Sequence, residues 1–205
     1  RYTYDATGKK LSKEVITYTG TNARTHMITH YESGFITREN KNYAYDGQFW
    51  VGNEVDLGIQ FISHPEGYIE PIDGNDLSQG FDYIFQYKDH LGNIRLSYKD
   101  SNNDGSVDSS EIIEENNYYP FGLEHKGYNN VVSGTENNYK TYNGKEKEEE
   151  LGLNTLAYGW RDYDPAIARF NKIDRFAEKY FSITPYNYTA NNPVRFVDIA
   201  GDSIN

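Results

Sequence analysis

Alternation of aromatic and polar residues predicts a β-hairpin at the start of the chain. Tyr2 and Tyr4 alternate with polar neighbours, an Asp-x-x-Gly turn follows at Asp5 and Gly8, and residues 10–18 predict a second strand. Further short apolar or alternating runs, each typical of a strand, lie at residues 49–51, 59–62, 81–87 and 94–98. We therefore predict an all-β chain built mainly from hairpins.

Two stretches near the C-terminus depart from this pattern. The charged residues 145–150 are strong helix formers bounded by Gly144 and Gly152. A run this short gives at most two turns, which are marginal alone, so we predict a solvated turn or one short helical piece. A second short helix is predicted over residues 174–180.

Composition supports a folded chain with little dry core. Of its 205 residues, 37% are hydrophobic and 16% aromatic, with 20 Tyr and 10 Phe. Disordered chains are poor in aromatic residues, so this content indicates folding. A tyrosine can bury its ring while its hydroxyl stays wet or hydrogen-bonded, which suits sheets that are wet on both faces.

Charge and residue usage exclude several classes of function. The net charge of −11 argues against a nucleic-acid partner, because nucleic acids are bound by basic surface patches. The apolar runs fall well short of the ~20 residues that a membrane-spanning helix needs, so we expect no membrane span. The chain has no Cys, which excludes disulfides, thiolate zinc sites and thiol nucleophiles.

Residues 100–111 match the twelve-residue calcium loop of EF-hand proteins at its diagnostic positions. Gly105 stands at the sixth place, where that loop turns sharply. The predicted oxygen ligands are Asp100, Asn102, Asp104, Ser106 through its carbonyl, Asp108 through a water, and Glu111. The alternative is a polar turn rich in Asn, Asp, Gly and Ser, which needs no metal.

The flanks of this loop favour a hairpin over a helix-loop-helix unit. Residues 94–98 alternate like a strand, and residues 112–118 show no helical period. We therefore predict that Ca²⁺, bound at the tip of a hairpin, makes the hairpin rigid, because its carboxylates would otherwise repel one another.

Several short sequence motifs of the chain, referred to below as phrases, resemble those of one known family. The unit Tyr-x-Tyr-Asp followed by Gly at the start is similar to a YD repeat, and related phrases recur at 43–47 and 87–96. Further matching phrases are Asn117-Tyr118-Tyr119-Pro120-Phe121-Gly122-Leu123, Tyr142-Asn143-Gly144-Lys145-Glu146 and the signature of residues 158–201. Together they resemble the RHS repeat-associated core of bacterial RHS and YD-repeat proteins, in its Bacteroidetes-like branch, which is related to the toxin-complex C subunits.

The resemblance implies a fold and a role. It implies YD-repeat hairpins forming part of a spiral β-shell, with degenerate repeats over 1–85, core hairpins over 86–157 and a plug-like signature over 158–205. Such a shell would enclose, hold or present a C-terminal toxin or effector, with upstream YD-repeat segments as partners, in a secreted or cell-surface bacterial protein. An adhesin or interaction module stiffened by calcium is the alternative.

The resemblance also implies a self-cleaving pair of aspartates. In this family two DPxG-type segments carry them, and here the segments match at Asp174 and Asp198. Two neighbouring carboxylates can share a proton, so that one activates water while the other donates to the leaving group. The chain would be at most an aspartyl autoprotease that acts once on itself.

The match to the cleavage segments is incomplete. Arg175 and Ile199 replace both prolines, and Ala177 replaces the first glycine, although Gly201 remains. Since proline fixes the local φ, its absence favours a second interpretation, in which the aspartates only cap turns. Arg161 and Arg169 lie in the signature near both segments, but no motif gives either a role.

Overall fold

In a computed structural model, the described residues are 1–125, 130–131 and 137–204, and they form antiparallel β-structure. The chain divides between Ile84 and Phe85 into two compact units, and β7 (Phe81–Lys88) runs across that boundary. The all-β prediction is confirmed, because strands predominate and each helical segment is a single 3-10 turn.

The first unit is one antiparallel sheet whose strands pair in sequence order. Its strands are β1 (Tyr2–Tyr4), β2 (Lys10–Tyr18), β3 (Ala23–Tyr31), β4 (Phe35–Tyr45), β5 (Trp50–His64) and β6 (Gly67–Pro71), and a 3-10 turn spans Leu77–Gln79. Buried side chains are few: Lys13, Thr29, Ile36, Phe61, Tyr68 and Ile84. Most other strand residues are half-buried, as expected for a sheet with little dry core.

The second unit combines hairpin strands with a small separate sheet of four strands. Its strands are β8 (Ile94–Tyr98), β9 (Ile112–Glu115), β10 (Asn130–Val131), β11 (Glu146–Glu148), β12 (Thr155–Ala157), β13 (Asp162–Asp164) and β14 (Arg169–Phe170). Its 3-10 turns span Ser109–Glu111, Tyr142–Gly144, Glu150–Gly152, Ala177–Lys179 and Thr189–Asn191.

One five-residue turn recurs in both units. Its first residue donates from N–H to the carbonyl of the fifth, and its fourth donates to the carbonyl of the first, at 2.8 to 3.2 Å. The fourth residue is a glycine with φ between 66° and 86° each time, as in a type I turn closed by a glycine bulge. The turns are residues 5–9, 89–93, 119–123 and 141–145.

Two of the predicted repeat phrases share this turn in detail. The carboxylates of Asp5 and Asp89 each accept from the N–H groups two and four residues later. A register shift also falls just before each aspartate. The phrase at 43–47 differs, because the Asp46 N–H bonds the carbonyl of Phe49 and closes a turn one residue shorter.

The core of the second unit is aromatic. Its buried members are Tyr142, Leu156, Tyr158, Tyr163, Phe170 and Tyr188. The hydroxyl of Tyr163 donates to the carbonyl of Phe121 at 2.8 Å, and that of Tyr142 donates to Pro120 at 2.8 Å. Both tyrosines therefore keep their hydroxyls hydrogen-bonded, which lets a tyrosine serve as a core residue.

Asn143 joins the phrases that carry the family resemblance. Its Oδ1 accepts from the hydroxyls of Tyr158 at 2.7 Å and Tyr188 at 2.5 Å. Its Nδ2 donates to the Leu91 carbonyl and to Oδ1 of Asn93, both at 3.0 Å. Three phrases that lie far apart in sequence thus meet around one amide.

The prediction for residues 145–150 is wrong, and the short helix predicted over 174–180 is confirmed only in part. Within residues 145–150, Glu146–Glu148 form β11, which pairs with β12 and buries Glu148 to 2% exposure. The helix expected over 174–180 is one 3-10 turn at Ala177–Lys179. At residues 146–148 strand pairing outweighs the local helix propensity, because β12 supplies hydrogen-bond partners for the backbone of the same residues.

Ala168 occupies a strained position in the loop between β13 and β14. Its φ is 56°, in the left-handed region that favours glycine. We expect Ala168→Gly to raise the free energy of unfolding by about 1 kcal/mol, because the Cβ strain disappears. Chemical denaturation checks this, with Ala166→Gly as the control. Ala166 lies in the same loop without a positive φ, so its replacement should lower stability instead. Equal effects of the two substitutions would contradict the interpretation.

Candidate functional site

Arg161 is the centre of the candidate site. It lies between β12 and β13, is 3% exposed, and holds its guanidinium carbon 3.8 Å from the centre of the Phe170 ring. Burial lowers the pKa of Arg161, and the carboxylates of Asp174 and Asp198 oppose that shift. A buried guanidinium persists only with such partners.

Both predicted aspartates lie on this one guanidinium. The Nη2 of Arg161 is 2.8 Å from Oδ2 of Asp174 and 3.7 Å from Oδ2 of Asp198. Its Nη1 also donates to the carbonyl of Pro185 at 3.0 Å. Two carboxylates that are 24 residues apart in sequence (198 − 174) are therefore neighbours in space.

Each aspartate also caps a turn. Oδ1 of Asp174 accepts from the N–H of Phe176 at 2.7 Å. Oδ1 of Asp198 accepts from the N–H groups of Ala200, Gly201 and Asp202 at 3.2, 2.6 and 3.1 Å. In each aspartate, Oδ1 caps the turn and Oδ2 faces Arg161, so the turn-capping role and the paired arrangement occur together.

Asp198 is the more deeply buried of the two. It is 2% exposed, and burial raises the pKa of its carboxyl, against the lowering effects of the Gly201 N–H and of Arg161. A carboxyl with a raised pKa holds its proton to higher pH, which suits a general acid.

The segment after Asp198 is fixed beside the carboxylates. Gly201 has a φ of 80°. A Cβ there would lie 3.0 Å from Cβ of Tyr158 and 3.1 Å from the backbone nitrogen of Arg161. The Gly201 carbonyl accepts from Nε of Arg161, and the Ala200 carbonyl accepts from the Trp160 N–H at 3.0 Å. These contacts leave room only for a glycine at position 201.

The residues at the two proline positions make other contacts. The Arg175 guanidinium lies 3.9 Å from the centre of the Trp160 ring and pairs with the carboxylate of Asp202. Ile199 is exposed, and its carbonyl accepts from Nζ of Lys145. Side-chain contacts therefore hold the chain at both positions.

A small cleft opens between these groups. Arg161, Asp174, Asp198 and Asn187 line it, together with Ile204 of the segment after Gly201. Sequence reasoning missed Asn187, which lies in an aromatic run without any spacing motif. Arg169 pairs through its backbone with Asn187 and does not contribute to the lining described for the cleft.

The predicted calcium loop closes a β-hairpin, as expected. It lies between β8 and β9, which pair antiparallel, and Gly105 has a φ of 79°. Asp100 accepts from the N–H groups of Asp104 and Gly105, and Asp104 accepts from that of Ser106. The side-chain oxygens thus face the loop's own backbone.

Glu111 ties the two ends of the loop together. It is 5% exposed, and its carboxylate accepts from the N–H groups of Ser101 at 2.8 Å and Asp108 at 3.1 Å. Over residues 1–125, 130–131 and 137–204, no three His, Asp or Glu side chains form a group that could hold a metal ion. The calcium ligands therefore remain a prediction from sequence.

No model of a known protein family matches the chain, and the curated proteins contain no match either. In the described part of the chain, the structure contains no helix long and apolar enough to cross a membrane.

Proposed function

We propose that this chain is the C-terminal core of an RHS/YD-repeat protein, a β-scaffold that holds or presents a C-terminal effector. The recurring five-residue turn supports a repeat origin, since two of the sequence phrases adopt the same turn and the same register shift. The half-buried sheet of the first unit fits the wall of a shell with both faces wet. Upstream repeats would pair with its edge strand β1, in a secreted or cell-surface protein.

We also propose that this scaffold cuts its own chain downstream of Gly201. The observation that carries the proposal is the position of Asp174 and Asp198 on one buried guanidinium, beside the backbone of that segment. Turn capping alone would not require the two carboxylates to meet. The missing prolines do not exclude cleavage, because the contacts of Arg175 and Lys145 fix the same segments.

The environments of the two carboxylates suggest their roles. Asp198, whose pKa burial raises, would be the acid that protonates the leaving nitrogen. Asp174, in the closer ion pair with Arg161, would be the base that takes a proton from water. The water oxygen bonds to the peptide carbon, the carbon–nitrogen bond breaks, and the released proton returns from Asp174 to Asp198.

Self-cleavage rates of the chain with its native downstream residues test this assignment. We expect Asp174→Asn and Asp198→Asn each to slow cleavage by at least about 100-fold, because each removes one proton-transfer group. The wild-type rate should fall as pH rises through the raised pKa of Asp198, since the acid form is then lost.

Glu178→Gln is the matched control, because it removes an exposed carboxylate from the 3-10 turn next to Asp174. It should cleave at the wild-type rate. If the wild type and the two Asp variants are all folded and cleave at equal rates, the two aspartates do not catalyse cleavage and only the scaffold role remains.

We further propose that the hairpin loop of residues 100–111 binds Ca²⁺. The donor set fits the ion, because carboxylate, amide and carbonyl oxygens are the ligands that this hard cation prefers. Asp100, Asn102, Asp104 and Glu111 would hold it, with Ser106 and Asp108 completing the set. Bound calcium would neutralise the clustered carboxylates.

Calcium should therefore stabilise the protein. At a concentration about 100-fold above Kd, we expect the free energy of unfolding to rise by about 2.7 kcal/mol, measured by thermal melting. Asp104→Asn should weaken this response, while Asp73→Asn, in a loop of the first unit, should leave it intact. The same shift with Mg²⁺ or in Asp104→Asn would contradict a site at this loop.

A calcium-stiffened adhesin or interaction module is the second candidate. It is favoured by the exposed loop at the tip of a paired hairpin, which needs no cleavage to be useful. Uncut chains that still respond to calcium would support this candidate over the self-cleaving scaffold.

A further inference from the structure

One buried hydrogen-bond acceptor in the cleft has no donor. Asn187 is 7% exposed, and its Oδ1 lacks a hydrogen-bond partner within the part of the chain that the structure describes. The same side chain lines the cleft with Arg161, Asp174 and Asp198. Buried polar atoms are nearly always satisfied, so an unpaired acceptor beside two carboxylates points to a ligand with a hydrogen to donate.

The Asn187 amide is held in a fixed orientation. Its Nδ2 donates to Oδ1 of Asn191 at 2.9 Å, and its backbone N–H donates to the carbonyl of Thr184 at 3.0 Å. The three residues Thr189, Ala190 and Asn191 have φ values of 46°, 51° and 59°. Such strained backbone persists only where its surroundings impose it, so the partner of Nδ2 is rigid.

We propose that Oδ1 of Asn187 orients the water that attacks the peptide bond downstream of Gly201. The inference rests on the proposed self-cleavage and adds a residue to it. One hydrogen of the water bonds to Oδ1 of Asn187, and the other passes to the carboxylate of Asp174 as the water oxygen bonds to the carbonyl carbon. The carbon–nitrogen bond breaks and the leaving nitrogen takes its proton from Asp198. Asn187 supplies direction and exchanges no proton.

Three variants of the chain with its native downstream residues test this role. Asn187→Leu removes the acceptor in a similar volume and should slow cleavage about 100-fold while the chain stays folded, because the water loses its orientation. Asn187→Asp keeps an oxygen at that place and should cleave faster than Asn187→Leu. Asn191→Gly removes the partner of Nδ2 but keeps the acceptor and a residue that tolerates positive φ, so it should slow cleavage less than Asn187→Leu does.

The pH profile of Asn187→Asp gives a readout that a structural role would not move. A new negative charge in the cleft favours the protonated form of Asp198, so the fall in rate with rising pH should move to higher pH. The other charged groups around Asp198 are Arg161, Asp174, Lys145, Arg175 and Asp202, and they are the same in all variants.

The outcomes separate this inference from the proposal beneath it. A wild type that never cleaves overturns both. A cleaving wild type with an unimpaired Asn187→Leu overturns only the role of Asn187. If Asn187→Leu fails to fold, Asn187→Asp decides, and an unshifted pH profile with normal folding overturns the inference.

Discussion

Replacing Arg161 by methionine is expected to lower the free energy of unfolding by about 3–5 kcal/mol at neutral pH. The substitution keeps much of the side-chain volume but leaves the carboxylates of Asp174 and Asp198 without their cation. It also removes the donors to the carbonyls of Pro185 and Gly201. Chemical denaturation at neutral and at acidic pH measures the loss. It should shrink in acid, where the carboxylates become protonated.

Arg175→Met is the matched control for this loss. Arg175 also forms an ion pair, with Asp202, but its side chain is 44% exposed. Water screens such a pair, so its removal should cost no more than about 1 kcal/mol. A loss for Arg161→Met as small as that for Arg175→Met would mean that Arg161 does not hold the two aspartates together.

Alkaline pH is expected to unfold the second unit through its tyrosines. Burial raises the pKa of Tyr142 to about 12, and it also raises the pKa values of Tyr158, Tyr163 and Tyr188. In the unfolded chain these phenols ionise near pH 10, while the folded chain keeps them protonated. Stability is therefore complete below about pH 10 and falls by about 1.4 kcal/mol per pH unit for each such tyrosine.

Circular dichroism and tyrosinate absorbance, recorded together against pH, measure this effect. The buried tyrosines should ionise together with the loss of structure, and the exposed ones earlier. Tyr163→Phe should lower stability at neutral pH, since the bond to the Phe121 carbonyl is lost, yet make stability fall less steeply in alkali. Tyr83→Phe, at an exposed position, should change neither property. Smooth ionisation of every tyrosine before unfolding would contradict a buried aromatic core.

Local patterns predicted the hairpins well because their turns are determined by nearby residues. Asp5 and Asp89 accept hydrogen bonds from residues two and four places later, and a glycine provides the positive φ. A dipeptide or pentapeptide pattern contains all of this information. The same holds for the loop of residues 100–111: residues 94–98 alternate, and the segments on both sides of the loop pair as the predicted hairpin.

Contacts between residues that are far apart in the sequence could not be predicted from local patterns. The run at 145–150 has strong helix formers, but Glu148 becomes a buried strand residue because β12 offers it a pairing partner. Asp174 and Asp198 could be nominated only through a family resemblance. Their meeting on Arg161, and the presence of Asn187 in the cleft, depend on how β12 to β14 and the segments after them pack, which no local pattern records.

The proposed function depends on one step, the hydrolysis of the chain downstream of Gly201 by the two carboxylates on Arg161. The intact mass of the wild-type protein with its native downstream residues, synthesised in ordinary water and left to cleave in ¹⁸O-labelled water, tests this step. The expected result is two fragments, of which the first ends within a few residues of Gly201 and carries one ¹⁸O in its new carboxyl group. Asp174→Asn should give a single uncut chain. An uncut mass for the folded wild type, or a cut that persists in Asp174→Asn, would contradict it.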